Sequence, residues 1–589
     1  MCGIVGYIGV KNAKDILLNG LKKLEYRGYD SAGIALELNQ GIAIFKDVGK
    51  VESLEIKIPH FYSKVGIGHT RWATNGIVND VNAHPHFSSS RRFCIVHNGV
   101  IENDKELKET YLQNYKFVSD TDTEVLINLI EELYQENLIT TLKNIKPLLK
   151  GSYSFLILDE NNLNTIYFMK NQTPLLIGVG DNENVIASDS LAFPCEINKM
   201  ILLNDGDYGY LNAREVKIYN KQHNLINPII LDRNINEDTV DKKEFSHHML
   251  KEIFEQPSMI DTLKHKYIKN DSLNFDSSVK DKLNSCDKIF IIACGSSYYS
   301  SLIGKRYFEK FLKKDVDVLL GSECISHFPL TSKNPLFIFV SQSGETLDVL
   351  NVIKQCNILA YKTIGITNSP NSSICHLCDD VLYLYAGREI SVASTKAFLG
   401  QSLLFYLLSK MNSKDINIKN ELNEFKETTN SIFDKLSLIK TISNQLKDYR
   451  DIFVLGRDLD YFIALESALK LKEISYIHAE AFPSGELKHG PIALLDSNTA
   501  VIGLTSNQNT DSSLRVNLKE CEVRNAKIFT FSTSNVSKEN DTFIIKNVNS
   551  NLNPLVMLIV TQLLSFYVAK SKGNDIDMPR NLAKSVTVE

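Results

Sequence analysis

The second half of this 589-residue chain repeats one pattern, in which an apolar strand is followed by a turn and a long helix. The segments "DKIFIIACGSSYYSSLIGKRYFEKF" and "NPLFIFVSQSGETLDVLNVIKQCN" have counterparts roughly 160 residues later, "RDIFVLGRDLDYFIALESALKLKE" and "TAVIGLTSNQNTDSSLRVNLKECE". Strands that alternate with helices are typical of parallel, doubly wound sheets. We therefore predict two similar α/β subdomains, at residues 278–417 and 445–575.

The first part of the chain has a different character. Up to residue 234 it contains short strands such as "RFCIVHNGVI" and "SYSFLILDE" with few helices, which predicts an α+β domain of stacked sheets over residues 2–234. The helix "TDTEVLINLIEELYQENL" begins with a predicted capping box of Thr121 and Glu124. Residues 235–277 are predicted to be a linker with an amphipathic helix, and residues 576–589 a polar tail.

The composition argues against several classes of function. A net charge of −5 gives no electrostatic reason to bind nucleic acid or an anionic membrane, so we expect small-molecule ligands. Ten cysteines spread over the whole chain indicate reduced thiols and a cytoplasmic protein. The most apolar stretch, "NPLVMLIVTQLLSFYVAK", is interrupted by polar residues and is predicted to be a buried helix rather than a membrane span.

A cysteine directly follows the initiator methionine in "MCGIVGYIG". We expect the methionine to be removed, which leaves Cys2 with a thiol and a free α-amine whose reference pKa is about 7.7 to 8.0. One residue then supplies both a nucleophile and its general base. Position alone leaves an ordinary terminal cysteine as an equally good interpretation.

Other residues of the first part fit a thiolate that attacks an amide. The side chain of Asn98 and the backbone N–H of Gly99 in "VHNGVIEN" are candidate donors for a developing oxyanion. Arg71 in "HTRWATNG" can pair with a carboxylate, and Asp122 in "TDTEV" can take an α-ammonium group. Each of these residues, taken singly, is also consistent with a structural role.

The motifs "MCGIVGYIG", "LEYRGYDSAGIA", "GHTRWAT", "VNAHPH", "VHNGVIEN" and "TDTEV", in this order, resemble the N-terminal-nucleophile glutamine amidotransferase domain. The resemblance implies that glutamine is hydrolysed through a thioester on Cys2, and that Trp72 belongs to a channel for ammonia. It implies further that Asn98 and Gly99 form the oxyanion hole, and that Arg71, Gly99 and Asp122 hold the amino acid. One position departs from the family pattern, because Asn75 stands where histidine is usual, and this bears on closure of the glutamine loop.

The turns of the second half carry hydroxyl groups next to helix N-termini. A phosphate is favoured at such a position by free N–H groups and by the helix dipole, although a serine-rich N-cap without a ligand remains possible. The two turns follow strands of the same predicted sheet, where ligands of such sheets bind. Their residues are Cys294, Gly295, Ser296 and Ser297 in the first turn and Ser341, Gln342, Ser343 and Thr346 in the second.

Three charged residues share one face of a predicted helix. Glu466, Lys470 and Glu473 are spaced by four and three residues. A ketose–aldose shift needs a carboxylate base, which this row can supply. A solvated row of salt bridges is the alternative interpretation.

The motifs "ACGSSY", "SQSGET", "VASTKAF", "ALKLKEISYIHAEAFPSGELKHGP" and "PRNLAKSVTVE" resemble the sugar-isomerase subdomains and tail of the glutamine:fructose-6-phosphate aminotransferase (isomerising) family. The implied fold is multidomain: an N-terminal α+β four-layer glutaminase domain and two doubly wound α/β sugar-isomerase subdomains. The implied reaction converts D-fructose 6-phosphate and L-glutamine into D-glucosamine 6-phosphate and L-glutamate, the first step of amino-sugar biosynthesis, in a homodimer without metal or organic cofactor.

This resemblance also implies roles for single residues. Glu473 is the expected base, Lys470 its proton-handling neighbour, His489 from the other subunit the group that opens the sugar ring, and Lys584 the amine that forms a Schiff base with the ketose. The phosphate is expected at Ser341, Gln342, Ser343 and Thr346, and the sugar at Cys294, Gly295, Ser296, Ser297, Val392, Ala393 and Ser394.

Two alternative functions share half of these features. A glutamine-dependent phosphoribosyl amidotransferase needs a paired-acidic pyrophosphate loop after a strand, and the sequence shows none. A non-catalytic phosphosugar sensor needs neither Glu473 nor Lys584, and would carry a basic helix-turn-helix in place of the Cys2 domain.

Overall fold

A computed structural model of the chain describes residues 2–38, 41–73, 76–233, 242–329, 332–370, 372–413 and 417–586. The backbone divides into two compact units, Met1–Val240 with Ala583–Glu589, and Asp241–Leu582. Each unit has its own sheets and its own hydrophobic core.

The described part of the first unit consists mainly of antiparallel strands. The strands are β1 (Gly3–Ile8), β2 (Ser31–Leu38), β3 (Gly41–Val48), β4 (Val65–Arg71), β5 (His86–Phe87), β6 (Phe93–Ile101), β7 (Gly151–Asp159), β8 (Ile166–Asn171), β9 (Leu176–Val179), β10 (Asn184–Ala187), β11 (Lys199–Leu202), β12 (Tyr208–Leu211), β13 (Val216–Tyr219), β14 (Leu225–Ile226) and β15 (Ile230–Asp232). The helices are α1 (Ala13–Leu24), α2 (Val51–Lys57), α3 (Asp104–Tyr111), α4 (Asp122–Glu132) and α5 (Leu138–Ile145).

These elements form four layers. One sheet has the order β15-β11-β9-β10-β1-β4-β2-β3, and the other the order β14-β13-β12-β8-β7-β6-β5. Alternate residues of β1 point to opposite sides, so that Val5 packs with Leu21 of α1 while Ile4 packs with Val96 between the sheets. Leu126 of α4 lies in the core on the outer face of the second sheet. The predicted four-layer α+β domain is confirmed.

The strand register brings the N-terminus to the end of β4. Gly3 of β1 pairs with Thr70 of β4, and Arg71 at the end of β4 pairs with Ser31 of β2. Cys2, immediately before β1, therefore lies beside Arg71.

The capping box predicted at the start of helix α4 has two contacts, and one of them is present. The N–H of Glu124 donates to Thr121 Oγ1 at 3.4 Å. The Glu124 carboxylate, however, accepts from the N–H groups of Val118 and Ser119 at 2.8 and 2.5 Å rather than from Thr121. The Thr121 N–H is taken by Ser119 Oγ at 3.3 Å, because the chain before the helix folds back over its first turn.

The described part of the second unit consists mainly of parallel strands and helices, with one antiparallel pair between Ile268–Lys269 and Ser272–Leu273. The strands are β16 (Ile268–Lys269), β17 (Ser272–Leu273), β18 (Lys288–Ala293), β19 (Asp315–Leu320), β20 (Pro335–Ser341), β21 (Lys362–Thr367), β22 (Asp380–Tyr383), β23 (Asp451–Gly456), β24 (His478–Pro483), β25 (Thr499–Thr505), β26 (Lys527–Thr533) and β27 (Phe543–Ile545). The helices are α6 (His248–Phe254), α7 (Gln256–Tyr267), α8 (Ser277–Ser285), α9 (Gly295–Tyr307), α10 (Gly321–Ser326), α11 (Leu347–Ile358), α12 (Ser373–Leu377), α13 (Lys396–Ser409), α14 (Ile418–Phe433), α15 (Leu436–Leu446), α16 (Leu459–Lys470), α17 (Gln508–Glu522) and α18 (Asn553–Ser571).

Two parallel sheets of the same topology organise this unit. Their strand orders are β19-β18-β20-β21-β22 and β24-β23-β25-β26-β27. In each sheet the first strand of the repeat lies next to the third, as in the pairs Ile292 with Phe339 and Leu455 with Gly503. The predicted pair of doubly wound α/β subdomains is confirmed.

The segment expected to be a linker contains helices that pack into the core. Met249 and Ile253 of α6 and Ile260 and Leu263 of α7 are buried in the same cluster as Ile289 of β18. The amphipathic pattern of this segment thus reflects one helix face that packs into the core of the second unit, to which the segment itself belongs from Asp241 onwards.

Helix α18 is the one helix of the described chain that is long and apolar enough to span a membrane by length and composition. In the structure 89% of its apolar window is buried inside the protein. Its neighbours include α15, α16 and α14, and contact with them on all sides explains why it has no polar face. The prediction of a buried helix is confirmed.

Candidate active sites

Cys2 is half-buried, and its sulfur faces the backbone after β4. The Trp72 N–H donates to Cys2 Sγ at 3.2 Å, and the Trp72 carbonyl oxygen lies 3.4 Å from the same sulfur. Burial raises the pKa of the Cys2 thiol, while the Trp72 N–H and the Arg71 cation oppose that rise. The thiol is therefore the resting form, and a base must take its proton before the sulfur can attack.

Asn98 and Gly99 follow one another in β6, close to Cys2. Asn98 is 2% exposed, and its Nδ2 donates to the Cys2 carbonyl oxygen at 3.0 Å. Gly99 has a φ of +112°, and a Cβ there would lie 2.0 Å from the carbonyl oxygen of Ser152 on β7. Both the backbone conformation and the contact with β7 therefore require glycine.

Arg71 and Asp122 place opposite charges near this thiol. Both side chains are buried, with 3% and 5% exposure. The Arg71 guanidinium donates to the carbonyl oxygens of Ile77 and Gly76 at 3.3 and 3.2 Å. Asp122 Oδ2 accepts from the Ile101 N–H at 2.8 Å, at the C-terminal end of the strand that carries Asn98. Burial lowers the pKa of Arg71, and the negative charge of Asp122 opposes that shift.

Trp72 is partly exposed beside these residues. Its ring meets Tyr29 edge to face, with 6.1 Å between ring centroids. Asn75, the departure from the family pattern, lies outside the described residues.

Arg27 is a residue near the thiol to which the sequence assigned no role. Its Nε donates to the Cys2 carbonyl oxygen at 3.3 Å, and its Nη1 lies 3.7 Å from Asp189. Arg27 and Asn98 thus hold the same carbonyl group from two sides. The sequence offers one signal for this role, because Arg27 is a charged residue within "LEYRGYDSAGIA", one of the motifs that resemble the amidotransferase domain.

Buried histidines support the strand that carries Asn98. His69 Nε2 lies 2.9 Å from the His97 carbonyl oxygen, and the His97 N–H donates to His84 Nδ1 at 3.3 Å. Burial lowers the pKa of His69 to about 3 and that of His84 well below its usual value. These rings are therefore neutral at physiological pH, and His84 can accept a hydrogen bond at Nδ1.

In the second unit, the turn after β20 is held together by its own hydroxyl groups. The Gly344 N–H donates to Ser341 Oγ at 3.0 Å, and Ser341 Oγ lies 2.8 Å from Thr346 Oγ1. The Glu345 N–H donates to Ser343 Oγ at 3.2 Å, and the Gln342 carbonyl oxygen accepts from Asn368. The turn ends at the N-terminus of α11, where Thr346 is the N-cap residue.

A second turn lies next to it, because β18 and β20 are adjacent strands. Cys294 is the N-cap residue of α9, and Gly295 has a φ of +55° with nothing within 4 Å of a Cβ placed there. Ser297 Oγ accepts from Gln401 Nε2 at 2.9 Å. Both turns therefore lie at the carboxyl edge of one parallel sheet.

The third expected sugar segment is a loop before α13. The Val392 N–H donates to the Asp577 carbonyl oxygen at 3.1 Å. Ala393 is completely buried, and Ser394 Oγ donates to Glu389 at 3.4 Å.

The row of three charged residues is buried rather than solvated. Lys470 and Glu466 have side-chain exposures of 1% and 0%, and Glu473 of 19%. Lys470 Nζ lies 2.5 Å from Glu473 and 3.3 Å from Glu466. Ser296 joins the row, since its hydroxyl donates to Glu466 at 3.0 Å and accepts from Lys470 at 3.2 Å.

Burial and charge act in opposite directions within this row. Burial raises the pKa of Glu466 to about 7, although the Lys470 charge opposes the shift. Burial alone would lower the pKa of Lys470, but Glu466 and Glu473 outweigh it and raise that pKa. Lys470 is therefore a cation at physiological pH. Glu473 lies in the π-helical turn Leu471–Ser475, a geometry that is frequent at functional sites.

Two expected catalytic residues are not part of this row. His489 is exposed after the short turn Glu486–Lys488, and within the described chain its side chain has no hydrogen bond to the row. Lys584 is half-buried in a tail segment that groups with the first unit.

Family models match both units. The model of a glutamine amidotransferase domain matches residues 69–194. The model of the SIS domain matches twice, at residues 282–411 and 445–571. The chain therefore carries one glutamine amidotransferase domain and a repeated SIS domain.

Similar proteins share this arrangement over their full length. A protein of Halalkalibacterium halodurans named glutamine–fructose-6-phosphate aminotransferase (isomerizing) is 44% identical over 600 residues, which cover 100% of both chains. A protein of Listeria monocytogenes with the same name is 44% identical over 602 residues, again with 100% coverage of both. Among solved structures, the C-terminal domain of glucosamine-fructose-6-phosphate aminotransferase from Francisella tularensis is 34% identical, covers 58% of this chain and 100% of its own, and superposes with a TM-score of 0.55. The chain belongs to the family of glutamine–fructose-6-phosphate aminotransferases (isomerizing).

Proposed function

We propose that this protein transfers the amide nitrogen of L-glutamine to D-fructose 6-phosphate, which yields D-glucosamine 6-phosphate and L-glutamate at the start of amino-sugar biosynthesis. One observation carries the proposal: a single chain combines Cys2, whose carbonyl oxygen is held by the buried Asn98 amide, with a buried lysine–carboxylate row that contacts the Ser296 hydroxyl of the turn after β18. The first arrangement suits release of ammonia from an amide. The second suits proton transfer on a phosphorylated sugar.

Cys2 acts as an N-terminal nucleophile in this scheme. Its α-amine, free after removal of the methionine, takes the thiol proton, and the sulfur attacks the amide carbon of glutamine. A thioester forms as ammonia leaves, and water then releases glutamate. The raised pKa of the thiol supports the need for this internal base.

Asn98 and Gly99 stabilise the oxyanion that precedes the thioester. The Asn98 amide has two N–H bonds, and the Cys2 carbonyl takes the one seen at 3.0 Å, so the second remains for substrate. Arg71 pairs with the carboxylate of glutamine, and Gly99 and Asp122 bind its α-ammonium group. The burial of Arg71 and Asp122 supports these roles, because charge pairs are stronger away from water.

The turn after β20 holds the phosphate of the sugar at the N-terminus of α11. Hydroxyl groups that now contact one another can rotate towards phosphate oxygens, and free N–H groups of the helix add to the attraction. The residues of this turn are Ser341, Gln342, Ser343 and Thr346, and those that contact the sugar are Cys294, Gly295, Ser296, Ser297, Val392, Ala393 and Ser394.

Glu473 is the base that moves a proton between C1 and C2 of the sugar. The Lys470 ammonium lies 2.5 Å from this carboxylate and can hand a proton to the sugar oxygen. Lys584 forms the imine with the ketose, and His489 of the partner subunit opens the ring. The protein is accordingly proposed to be a cytoplasmic homodimer in which Trp72 lines the route of ammonia.

The test is the mass of the product made from glutamine labelled with ¹⁵N in the amide group. Glucosamine 6-phosphate that carries the label is the expected result, because both sites and the transfer between them must work. Unlabelled glucosamine 6-phosphate formed in the presence of ammonium salts would mean that free ammonia supplies its nitrogen. Amination of the sugar would then proceed without transfer from glutamine. A chain that binds fructose 6-phosphate but forms no amino sugar would contradict the proposal and favour the phosphosugar sensor.

A further inference from the structure

The loop of residues 390–394, which contains three of the residues proposed to contact the sugar, is held by a helix from the segment expected to be a linker. Glu252 lies on α6 and is 2% exposed. One of its oxygens, Oε1, accepts both the Ile390 N–H at 2.5 Å and the Ser391 N–H at 3.1 Å. Two consecutive backbone donors of the loop thus end on a single carboxylate oxygen.

The next donor of the same loop ends on the C-terminal segment. The Val392 N–H donates to the carbonyl oxygen of Asp577, which is 6% exposed. The Asp577 carboxylate in turn accepts from the first N–H groups of α6, His248 at Oδ2 and Met249 at Oδ1, both at 2.9 Å. Glu252 and Asp577 therefore connect the loop, the start of α6 and the chain that leads to the tail.

These contacts replace the hydrogen bonds that regular secondary structure would supply. The loop lies outside the described strands and helices, so its buried N–H groups need acceptors from elsewhere in the chain. Two of its successive N–H groups are directed at the Glu252 carboxylate, and the third is directed at the Asp577 carbonyl oxygen. If either acceptor is removed, buried donors are left without partners and the loop has a reason to move.

We propose that Glu252 and Asp577 are positioning residues for the ketose phosphate: they hold the 390–394 loop in the conformation that contacts the sugar, and so set the affinity for fructose 6-phosphate. The inference rests on the proposed function, because it concerns the same sugar site. Neither residue needs to touch the substrate.

Variants of Glu252 and Asp577 can show whether these residues position the loop or only stabilise the fold, because an amide keeps some of the contacts that a carboxylate makes. Glu252 uses one oxygen for both donors, so the amide oxygen of glutamine can keep both contacts in Glu252→Gln. Asp577 uses one oxygen for each donor, so Asp577→Asn can keep only one of its two side-chain contacts. Glu252→Ala and Asp577→Ala remove all of these side-chain contacts.

Two matched controls account for lost charge. Glu244→Gln removes a carboxylate from an exposed position ahead of α6. Lys242→Met removes the ion pair with Asp577, which spans 3.5 Å and in which the lysine is 46% exposed. Such an exposed pair contributes little, so both controls should behave as the unchanged protein.

The experiment measures KM and kcat for fructose 6-phosphate in the amination reaction of the full chain, and glutamine hydrolysis without sugar. Glu252→Ala is expected to raise KM for fructose 6-phosphate about tenfold or more, the effect of losing hydrogen bonds to a charged group. Glutamine hydrolysis should stay unchanged. Glu252→Gln should have a KM for fructose 6-phosphate close to that of the unchanged protein. The KM of Asp577→Asn should lie between those of the unchanged protein and Glu252→Ala.

A folded Glu252→Ala protein with unchanged KM would overturn the inference, and so would a Glu252→Gln protein as impaired as Glu252→Ala. Equal loss of glutamine hydrolysis and sugar affinity would also overturn it, because that pattern indicates general damage. If Glu252→Ala does not fold, Asp577→Asn is measured instead, with Lys242→Met as its control. A KM for fructose 6-phosphate that is raised in Asp577→Asn alone supports the inference, and an unchanged KM overturns it. Failure of the proposed function is a separate result, since the unchanged chain would then form no glucosamine 6-phosphate.

Discussion

Replacement of Lys470 by methionine tests the buried charged row most directly. Methionine fills a similar volume but leaves Glu466 and Glu473, whose side chains are 0% and 19% exposed, without their cation. Breaking a buried ion pair by removing one partner costs about 3 to 5 kcal/mol. Glu466, whose pKa burial already raises, can escape part of this cost by binding a proton, so the loss of stability must depend on pH.

The sign of that dependence follows from Glu466. Its folded-state pKa is raised to about 7 from a usual value of 4.5, so the folded protein binds more protons than the unfolded chain between these values. The stabilisation due to Glu466 is therefore fully present below the lower pKa and is lost as the pH rises through the higher one. Lys470 opposes the rise in pKa, so in Lys470→Met the pKa of Glu466 rises further and stability continues to fall above pH 7.

The assay is calorimetric unfolding of the full chain at pH 5 and pH 8. We expect Lys470→Met to lower the unfolding temperature of the second unit more at pH 8 than at pH 5. Fluorescence of Trp72, the single tryptophan of the chain, reports on the first unit and should not change. Because Glu466→Gln removes one unpaired carboxylate, the double variant should be more stable at pH 8 than Lys470→Met alone.

Two results would refute this reasoning. One is an equal loss of stability at both pH values, which would mean that the carboxylates are not the groups that destabilise the variant. The other is unchanged isomerisation of fructose 6-phosphate by Lys470→Met, because Glu473 would then act as a base without the neighbouring cation.

Three further changes test single residues. Cys2→Ala should abolish glutamine hydrolysis and leave conversion of fructose 6-phosphate to glucose 6-phosphate measurable; loss of both activities in a folded protein would contradict the separation of the two sites. Gly99→Ala should lower kcat of glutamine hydrolysis at least about a hundredfold, since its Cβ would lie 2.0 Å from the Ser152 oxygen and displace an oxyanion donor, and near-normal hydrolysis would argue against that role. Borohydride added with fructose 6-phosphate should attach the sugar to the peptide that contains Lys584, and attachment to another peptide would exclude Lys584 as the imine-forming amine.

The architecture of both units could be predicted from sequence because the relevant signals are local. The central strands β18, β20, β23 and β25 of the second unit are largely apolar runs between turns, as expected for strands buried on both faces, and they recur in the same order. The position of Cys2 beside Arg71 depends on strand pairing instead. It was inferred from a resemblance, and the register of β1 with β4 gives its physical basis.

The supporting residues could not be predicted because their partners are distant in sequence and belong to the backbone. Glu252 lies in "HHMLKEIFEQP", where it looks like one charge on the polar face of an amphipathic helix. Its acceptor role depends on Ile390 and Ser391, which are separated from it by more than a hundred residues. Arg27 is similar, because its partner is the carbonyl group of Cys2. Backbone groups carry no sequence signal, so such contacts appear only once the chain is folded.

In the internal repeat, too, the strand pattern could be predicted from the sequence, whereas the hydrogen-bond partners of single side chains could not. Gly295 and Asp458 follow equivalent strands and share a positive φ, at +55° and +53°. After β25, however, the Ser506 N–H and Oγ both donate to the carboxylate of Asp460, at 2.9 and 2.6 Å. In the equivalent turn after β20, no carboxylate of the described residues contacts the Ser341 hydroxyl, which contacts that of Thr346 instead. Donors already bound to a carboxylate are not available to a phosphate, whereas hydroxyl groups that contact one another can rotate towards one. The two subdomains have the same strand order, but the Asp460 side chain of α16 binds the donors of the turn after β25, whereas the turn after β20 can receive a ligand.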